Sequence, residues 1–219
     1  MLFRSMKSIA VAMLAMALTP PAWSDSVTIV ADRDNTMFSE AADKSNGAGQ
    51  RLFAGRTDGG DLRRCLVHFD LATAGITPGS TITSASLQLY MSRTQAGNTG
   101  VSLRRLTTDW GEGSSDAGGQ EGGGESAENG DATWVYTFYN VNNPSSGPQW
   151  SSPGGDYVAA SATTTVGGNG FYTWGSTGSM VSDVQGWLDN GASNFGWILI
   201  GNEGSNKTAK RFDSRENND

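Results

Sequence analysis

The sequence contains one cysteine and one histidine, and this scarcity restricts the chemistry open to the protein. Cys65 has no second cysteine with which to form an intramolecular disulfide. It lies in the alternating stretch RCLVHFDL (64–71), which favours a buried, inert thiol over a nucleophile. His68 lies in the same stretch, and one histidine supports neither a histidine-rich zinc site nor the H-E-x-x-H motif. No P-loop or G-x-S-x-G motif is present, so we predict that the protein is not an enzyme.

Basic residues are outnumbered, with 15 Lys and Arg against 22 Asp and Glu and a formal net charge of −7. A protein that binds nucleic acid needs the opposite balance, because its partner is a polyanion. The composition therefore excludes nucleic acid as the expected partner. A local basic patch on such a protein can still hold an acidic polymer.

Long hydrophobic runs are absent as well. The apolar run SIAVAMLAMAL (8–18) is short for a membrane span, which needs roughly 20 residues. It follows Arg4 and Lys7 and precedes TPPAWS (19–24), which is the order of a secretory signal peptide. We predict cleavage after Ser24, with an uncleaved membrane anchor as the alternative. The product is expected to be secreted to the extracellular space or cell envelope, with no membrane attachment, and residues 25–219 to form a single domain.

What the chain does contain is a series of short, mostly alternating stretches rich in β-branched and aromatic residues. The expected strands are VTIVA (27–31), RLFAG (51–55), RCLVHFDL (64–71), TSASLQLYM (83–91), VSLRRL (101–106), TWVYTFY (133–139), GFYTW (170–174), GWILIG (196–201) and TAKRF (208–212). Turn-forming sequences such as TDGGD and SSPGGD separate them. This pattern predicts an all-β fold, an antiparallel β-sandwich of about eight to ten strands.

Apolar residues recur at helical spacing in SMVSDVQGWLDN (179–190) alone. Ser179 is the expected N-cap, and Gly191 is expected to stop the helix. The sandwich therefore carries one short helix.

The segment 111–131 is rich in glycine and acidic residues and contains no Lys or Arg. Such a composition predicts a solvated, mobile insertion loop, since it buries little apolar surface. The alternative is a calcium site, because carboxylates on a flexible backbone are the ligands that calcium prefers, although the EF-hand pattern is absent. Asp32, Asp34 and Asn35 form a tighter cluster of oxygen ligands, so a structural calcium there is an equal hypothesis.

Arginine and lysine are concentrated in the segments 51–64 and 207–215. If the strand at 208–212 lies near the strand at 64–71, these residues form one basic strip. Such a strip would suit an acidic polysaccharide through forked arginine–carboxylate contacts; separate surface charges are the alternative. The aromatic residues Trp134, Tyr136 and Trp174 lie in or beside polar segments, where they would stack on sugar rings or cover the rim of the core.

The stretch RRCLVHFDLATAGITPGSTITSASLQLYMSRT (63–94) has a basic residue before an apolar strand, then F-D-L, then P-G-S-x-I-x-S-A-x-L-x-L-Y. VSLRRLTTDWGEG, GDATW, SDVQGWLDN, NFGWILIGNE and TAKRFDSRE follow in order. These blocks resemble the DNRLRE-type module, also called the family 96 carbohydrate-binding module. The resemblance implies a secreted sandwich of jelly-roll type that binds acidic polysaccharide such as alginate through basic residues. The positions in matching blocks are Arg51, Arg63, Lys210, Arg211 and Arg215.

In the family that the chain resembles, the segment corresponding to KRFDSREN (210–217) precedes a last strand. We therefore expect this chain, which ends at Asp219, to lack that strand. The functional prediction is a noncatalytic module that binds a polysaccharide. The alternatives are a structural or adhesive cell-envelope protein and, less favoured, a polysaccharide hydrolase or lyase with two convergent carboxylates.

Overall fold

The computed structural model describes residues 25–218, and its regular structure is almost entirely antiparallel β-sheet. Within that range the strands are β1 Arg33–Phe38, β2 Lys44–Ser45, β3 Arg51–Arg56, β4 Leu62–His68, β5 Leu87–Thr94, β6 Thr99–Leu106, β7 Glu125–Ser126, β8 Tyr157–Val166, β9 Gly170–Trp174, β10 Trp197–Ile200 and β11 Lys210–Asp213. The helix α1 spans Gly178–Asp189, and short 3₁₀ turns lie at Pro144–Ser146 and Gly191–Ser193. The predicted signal peptide, residues 1–24, lies outside the described residues.

The long strands form two layers joined through β3. The first layer, sheet 1, has the order β8-β6-β10-β4-β1, and the second, sheet 2, has the order β3-β11-β5-β9. The last residues of β3 pair with β4, as in Gly55↔Arg63, while its first residues pair with β11, as in Leu52↔Phe212. β3 therefore passes from one layer to the other.

One hydrophobic core lies between the two layers. Sheet 1 contributes Cys65 and Leu103, and sheet 2 contributes Met91, Trp174 and Phe212, to a single buried cluster. Side chains from facing sheets that share one core define a β-sandwich. The predicted antiparallel β-sandwich is confirmed, and the alternation predicted for β4 holds, since Cys65 and its neighbour Leu66 lie in different clusters.

A second hydrophobic cluster lies on the outer face of sheet 1. Leu66 and Ile198 point outward from the sheet and pack against Trp110, Ala132 and Trp150. Those three residues belong to the long connection between β6 and β8, residues 107–156. This connection therefore covers the outer face of sheet 1.

The acidic segment 111–131 is exposed along much of its length, as predicted, but it is anchored to the sandwich through buried residues. Glu121 is buried, and its Oε2 accepts hydrogen bonds from the backbone N–H of Arg51 (2.8 Å) and from Asn46 Nδ2 (3.0 Å). Asn46 Oδ1 in turn accepts from the backbone N–H of Ala117 at 3.0 Å. These hydrogen bonds, together with the small β2–β7 ladder, compensate for the scarcity of apolar side chains.

Two long strands and the two-residue strands β2 and β7 were not predicted, and two predicted strands do not form. β1 is polar in sequence, yet Asn35 and Thr36 are buried because their side chains are hydrogen-bonded. β8 was missed as well. The stretch 27–31 precedes the first strand, and 133–139 lies in the cover of sheet 1, where it forms one isolated bridge, Tyr136↔Gln149.

The helix is confirmed with a corrected start. Its N-cap is Thr177, whose side chain accepts a hydrogen bond from the backbone N–H of Met180 at 3.1 Å. Met180 and Trp187 are buried in the main core. In the part of the chain that the structure describes, no helix has the length and apolarity of a membrane span.

Candidate functional site

The structure brings together only part of the predicted basic strip. β11 lies in sheet 2 and is separated from β4 of sheet 1 by β3 alone. Arg63, Lys207 and Arg211 line one groove, whereas Lys210 is buried and Arg215 is paired with Glu112.

Arg63 is only 3% exposed and its donors are used within the protein. The guanidinium donates to both carboxylate oxygens of Glu40, each at 2.7 Å, and lies 4.6 Å from the centre of the Phe38 ring. Its remaining N–H groups donate to backbone oxygens of Leu62 and Gly122. With all five N–H groups bonded, Arg63 supports the fold and leaves no donor for a ligand.

Lys210 is fully buried, so the prediction that it binds a ligand is wrong. Its Nζ donates to the backbone oxygens of Ala96 (3.3 Å), Gly97 (2.7 Å) and Gly167 (3.3 Å). Those oxygens lie in the β5–β6 and β8–β9 turns. Burial lowers the pKa of Lys210. Alternation along β11 explains its position, because Lys210 and the core residue Phe212 share a face.

Arg51 and Arg215 are predicted ligand contacts whose charges are balanced by carboxylates. Arg215 makes a forked contact with Glu112, at 3.1 and 2.6 Å, and lies 2.7 Å from Glu216. Arg51 Nη1 lies 3.5 Å from Asp213 Oδ1. A partner carboxylate on a ligand would have to displace these internal ones.

Of the predicted sugar-stacking aromatics, Trp174 lies in the core and the other two are half-buried. Trp174 is fully buried and donates from Nε1 to the backbone oxygen of Val101, so its predicted role is wrong. The ring of Trp134 is covered by the Arg64 guanidinium at 4.8 Å. Tyr136 packs edge-to-face against Tyr139, with ring centres 5.6 Å apart.

Asp32, Asp34 and Asn35 do not form one set of calcium ligands. Asp32 Oδ1 lies 2.6 Å from Nδ1 of His68, and the amide of Asn35 is hydrogen-bonded to Ser45 and to backbone groups. The ring of His68 thus lies between Asp32 and the backbone oxygen of Asn194. Among residues 25–218 no group of three or more His, Cys, Asp or Glu side chains is arranged to hold a metal ion.

Asp34 itself is buried in an unusual environment. Its Oδ2 accepts a hydrogen bond from the backbone N–H of Arg215 at 3.0 Å, while Oδ1 has no hydrogen-bond partner among the described residues. Burial, reinforced by repulsion from Glu216 and Glu112, raises the pKa of Asp34 to about 7. The side chain therefore acts as an internal anchor for the segment after β11.

Arg211 is the predicted residue that remains available, and the structure places Arg93 beside it. The two are directly paired across β11 and β5, but the next pair is Phe212↔Met91, so Ser92 is an extra residue in β5. Strict alternation from the buried Met91 would have pointed Arg93 into the core. The bulge at Ser92 instead turns Arg93 to the outer face of sheet 2, next to Arg211.

Gln120 holds the two guanidinium groups together without neutralising them. Its Oε1 accepts from Nη1 of Arg93 at 2.5 Å and from Nη1 of Arg211 at 2.8 Å. Neither arginine forms an ion pair with a carboxylate within residues 25–218. Burial and then repulsion from Arg51 and Arg93 lower the pKa of Arg211, and attraction to Asp213 and Glu121 opposes this shift in part. Within residues 25–218 this pair is therefore a concentration of positive charge on the surface of sheet 2.

Arg93 and Arg211 line a groove of about 310 Å³ on the outer face of sheet 2, which we call the arginine groove. Its other polar lining residues include Arg56, Asp58, Arg63, Gln95, Gln120 and Lys207. Asp58 is the one carboxylate among the described lining residues, and Lys207 pairs with it at 3.3 Å. The groove has the donors to bind an anion.

Two exposed aromatic residues lie on the same sheet and were not recognised in the sequence. Tyr90 on β5 and Phe171 on β9 form a direct cross-strand pair with ring centres 5.0 Å apart. Tyr90 is 37% exposed and Phe171 70% exposed. The alternation of GFYTW, in which Trp174 lies in the core, was the signal that placed Phe171 outside.

Comparison with known proteins adds no relative to these observations. No protein-family model matches the chain, and no curated protein matches it.

Proposed function

We propose that the chain is a secreted, noncatalytic protein that binds an acidic polysaccharide in the arginine groove. The observation that supports this proposal is the adjacency of Arg93 and Arg211, two guanidinium groups without a carboxylate partner among residues 25–218. The resemblance of the chain to the DNRLRE-type module points in the same direction. Its export is inferred from the predicted signal peptide, with cleavage after Ser24.

The chemistry of the groove favours carboxylates over neutral sugars. An arginine presents a planar fork of N–H donors that matches the two oxygens of a carboxylate. Gln120, a neutral acceptor, orients both forks and competes weakly with a charged ligand. The negative charge of the whole protein opposes a polyanion at long range, and this limits binding to a ligand that reaches the groove.

The test compares polyuronates with a neutral glucan at low and moderate salt. We expect alginate or polygalacturonate to be retained in affinity electrophoresis and the neutral glucan to migrate unretarded. Arg93→Ala removes a charged hydrogen-bond donor, which is worth about 1.5–3 kcal/mol, so binding should weaken roughly tenfold or more. Salt should weaken binding as well, because the contact is electrostatic and accessible to solvent.

Arg104→Ala is the matched control. Arg104 also lacks an ion pair among the described residues, but it lies on β6 of the other sheet and packs over Tyr157. Arg104→Ala removes one positive charge, as Arg93→Ala does, and should leave polyuronate binding unchanged. If Arg93→Ala and Arg104→Ala weaken polyuronate binding equally, the effect is one of net charge and not of the groove. If the native protein retains no polyuronate at low salt, the proposed function is refuted.

A further inference from the structure

The exposed aromatic pair has a defined orientation. Tyr90 and Phe171 meet edge-to-face at an interplanar angle of 66°, so the two rings hold each other in place. Both lie on strands of sheet 2, with β9 at its edge. Phe171 nevertheless remains 70% exposed.

The aromatic pair and the arginine pair share one surface. Met91 is buried, so its neighbour Tyr90 points to the outer face, and the bulge at Ser92 returns Arg93 to that same face. Tyr90 and Arg93 are three positions apart along β5, which is about 10 Å in an extended strand. The outer face of β5 therefore presents an aromatic ring at Tyr90 and a positive charge at Arg93.

This surface differs from the outer face of sheet 1. There Trp110 and Trp150 of the 107–156 connection are buried against Leu66 and Ile198. On sheet 2 the same connection contributes Gln120 and Gly122 at the arginine groove, while Gln88, Tyr90 and Phe171 are exposed. An exposed aromatic on an edge strand is a liability for aggregation unless it has a partner.

We propose that the binding surface extends from the arginine groove along β5 to Tyr90 and Phe171, so that one polyuronate chain is contacted at two points. A carboxylate binds between Arg93 and Arg211, and the C–H face of a sugar ring further along the same chain stacks on Phe171. This inference rests on the proposed function. It adds that the ligand is an extended polymer with carboxylates and an unsubstituted ring face, and that a short fragment reaches only one of the two points.

The test measures dissociation constants for a uronate disaccharide and a uronate hexasaccharide by titration calorimetry. The hexasaccharide should bind the native protein more tightly than the disaccharide. Phe171→Ala should weaken hexasaccharide binding roughly fivefold, the equivalent of one aromatic contact, and leave the disaccharide unchanged. Phe171→Tyr keeps the ring and should retain the native values. Val158→Ala, at a partly exposed position on the edge strand of sheet 1, should have no effect.

The outcomes separate the two proposals. If Phe171→Ala leaves hexasaccharide binding unchanged while Arg93→Ala weakens it, the second contact is refuted and the proposed function stands. If Phe171→Ala weakens both ligands equally, the aromatic residue is not a distant contact and the inference is again refuted. Failure of the native protein to bind either oligosaccharide refutes both proposals.

Discussion

Lys210 and Arg211 are neighbours in sequence with opposite environments. Arg211 points to the outer face of sheet 2, whereas Lys210 is buried with Nζ among three backbone oxygens. A buried ammonium without a counter-ion is tolerated when hydrogen bonds replace its hydration. Lys210 therefore links two turns that differ by about 70 positions in the chain, near Gly97 and Gly167.

We expect Lys210→Met to destabilise the protein by about 1–3 kcal/mol, because the three backbone oxygens lose a shared donor inside the fold. Urea denaturation would measure the change in the free energy of unfolding. Lys207→Met removes the same charge from an exposed side chain and should change stability by less than about 0.5 kcal/mol. Equal stabilities of the two variants would contradict the linking role of Lys210.

At the scale of elements, the start of α1 shows how a cap depends on its surroundings. Ser179 is the cap that the sequence predicts, and Thr177 carries a hydroxyl side chain two positions earlier. The structure uses Thr177, whose hydroxyl also donates to the backbone oxygen of Ser161 on β8. Contact with the neighbouring strand therefore decides where the helix begins.

Thr177→Ala should lower the free energy of unfolding by about 1 kcal/mol, because the cap hydrogen bond to the Met180 N–H is lost. Ser179→Ala, inside the helix and exposed, should have little effect or a small stabilising one. Thermal unfolding followed by circular dichroism distinguishes them. If Ser179→Ala lowers the free energy of unfolding more than Thr177→Ala does, the N-cap is Ser179, as the sequence predicts.

At the scale of the whole molecule, burial of acidic side chains couples stability to pH. The pKa of Asp34 is raised from its ordinary value of 3.8 to about 7, and that of Asp131 to about 6, in each case chiefly by burial. Between these ordinary and raised values the folded protein holds protons that the unfolded chain releases. The contribution of these two groups to stability is therefore largest at acidic pH and falls as pH rises from about 4 to about 7, while the lowered pKa of Asp156 contributes stability that is lost as pH falls.

We predict that Asp34→Asn flattens this fall, which for one proton has a limiting slope of about 1.4 kcal/mol per pH unit. Urea denaturation across the pH range measures the slope. Asp34→Asn together with Asp131→Asn should flatten it further. Asp58→Asn alters an exposed side chain and serves as the control. If the free energy of unfolding of the Asp34→Asn protein falls with pH as steeply as that of the native protein, Glu216 or other groups carry the pH dependence.

The local sequence was sufficient to predict those strands and helices whose apolar residues recur at a clear period. The alternation of RCLVHFDL, GFYTW and GWILIG correctly predicted β4, β9 and β10, and the helical spacing of 179–190 predicted α1. Burial of one face is the reason, because a strand or helix at a core must repeat apolar residues at its own period. Polar β1 was missed, since hydrogen bonds rather than apolar side chains stabilise it in the interior.

The sequence by itself thus determined the antiparallel β-sandwich, the single helix found in residues 25–218 and the buried Cys65. Only the tertiary structure decided which charges remain available. Lys210, Arg63 and Arg215 are occupied by partners distant in the chain, while a one-residue bulge brings Arg93 to Arg211. Periodicity reports which face of a strand is buried, but an ion pair or a bulge depends on the register between strands, and tertiary packing sets that register.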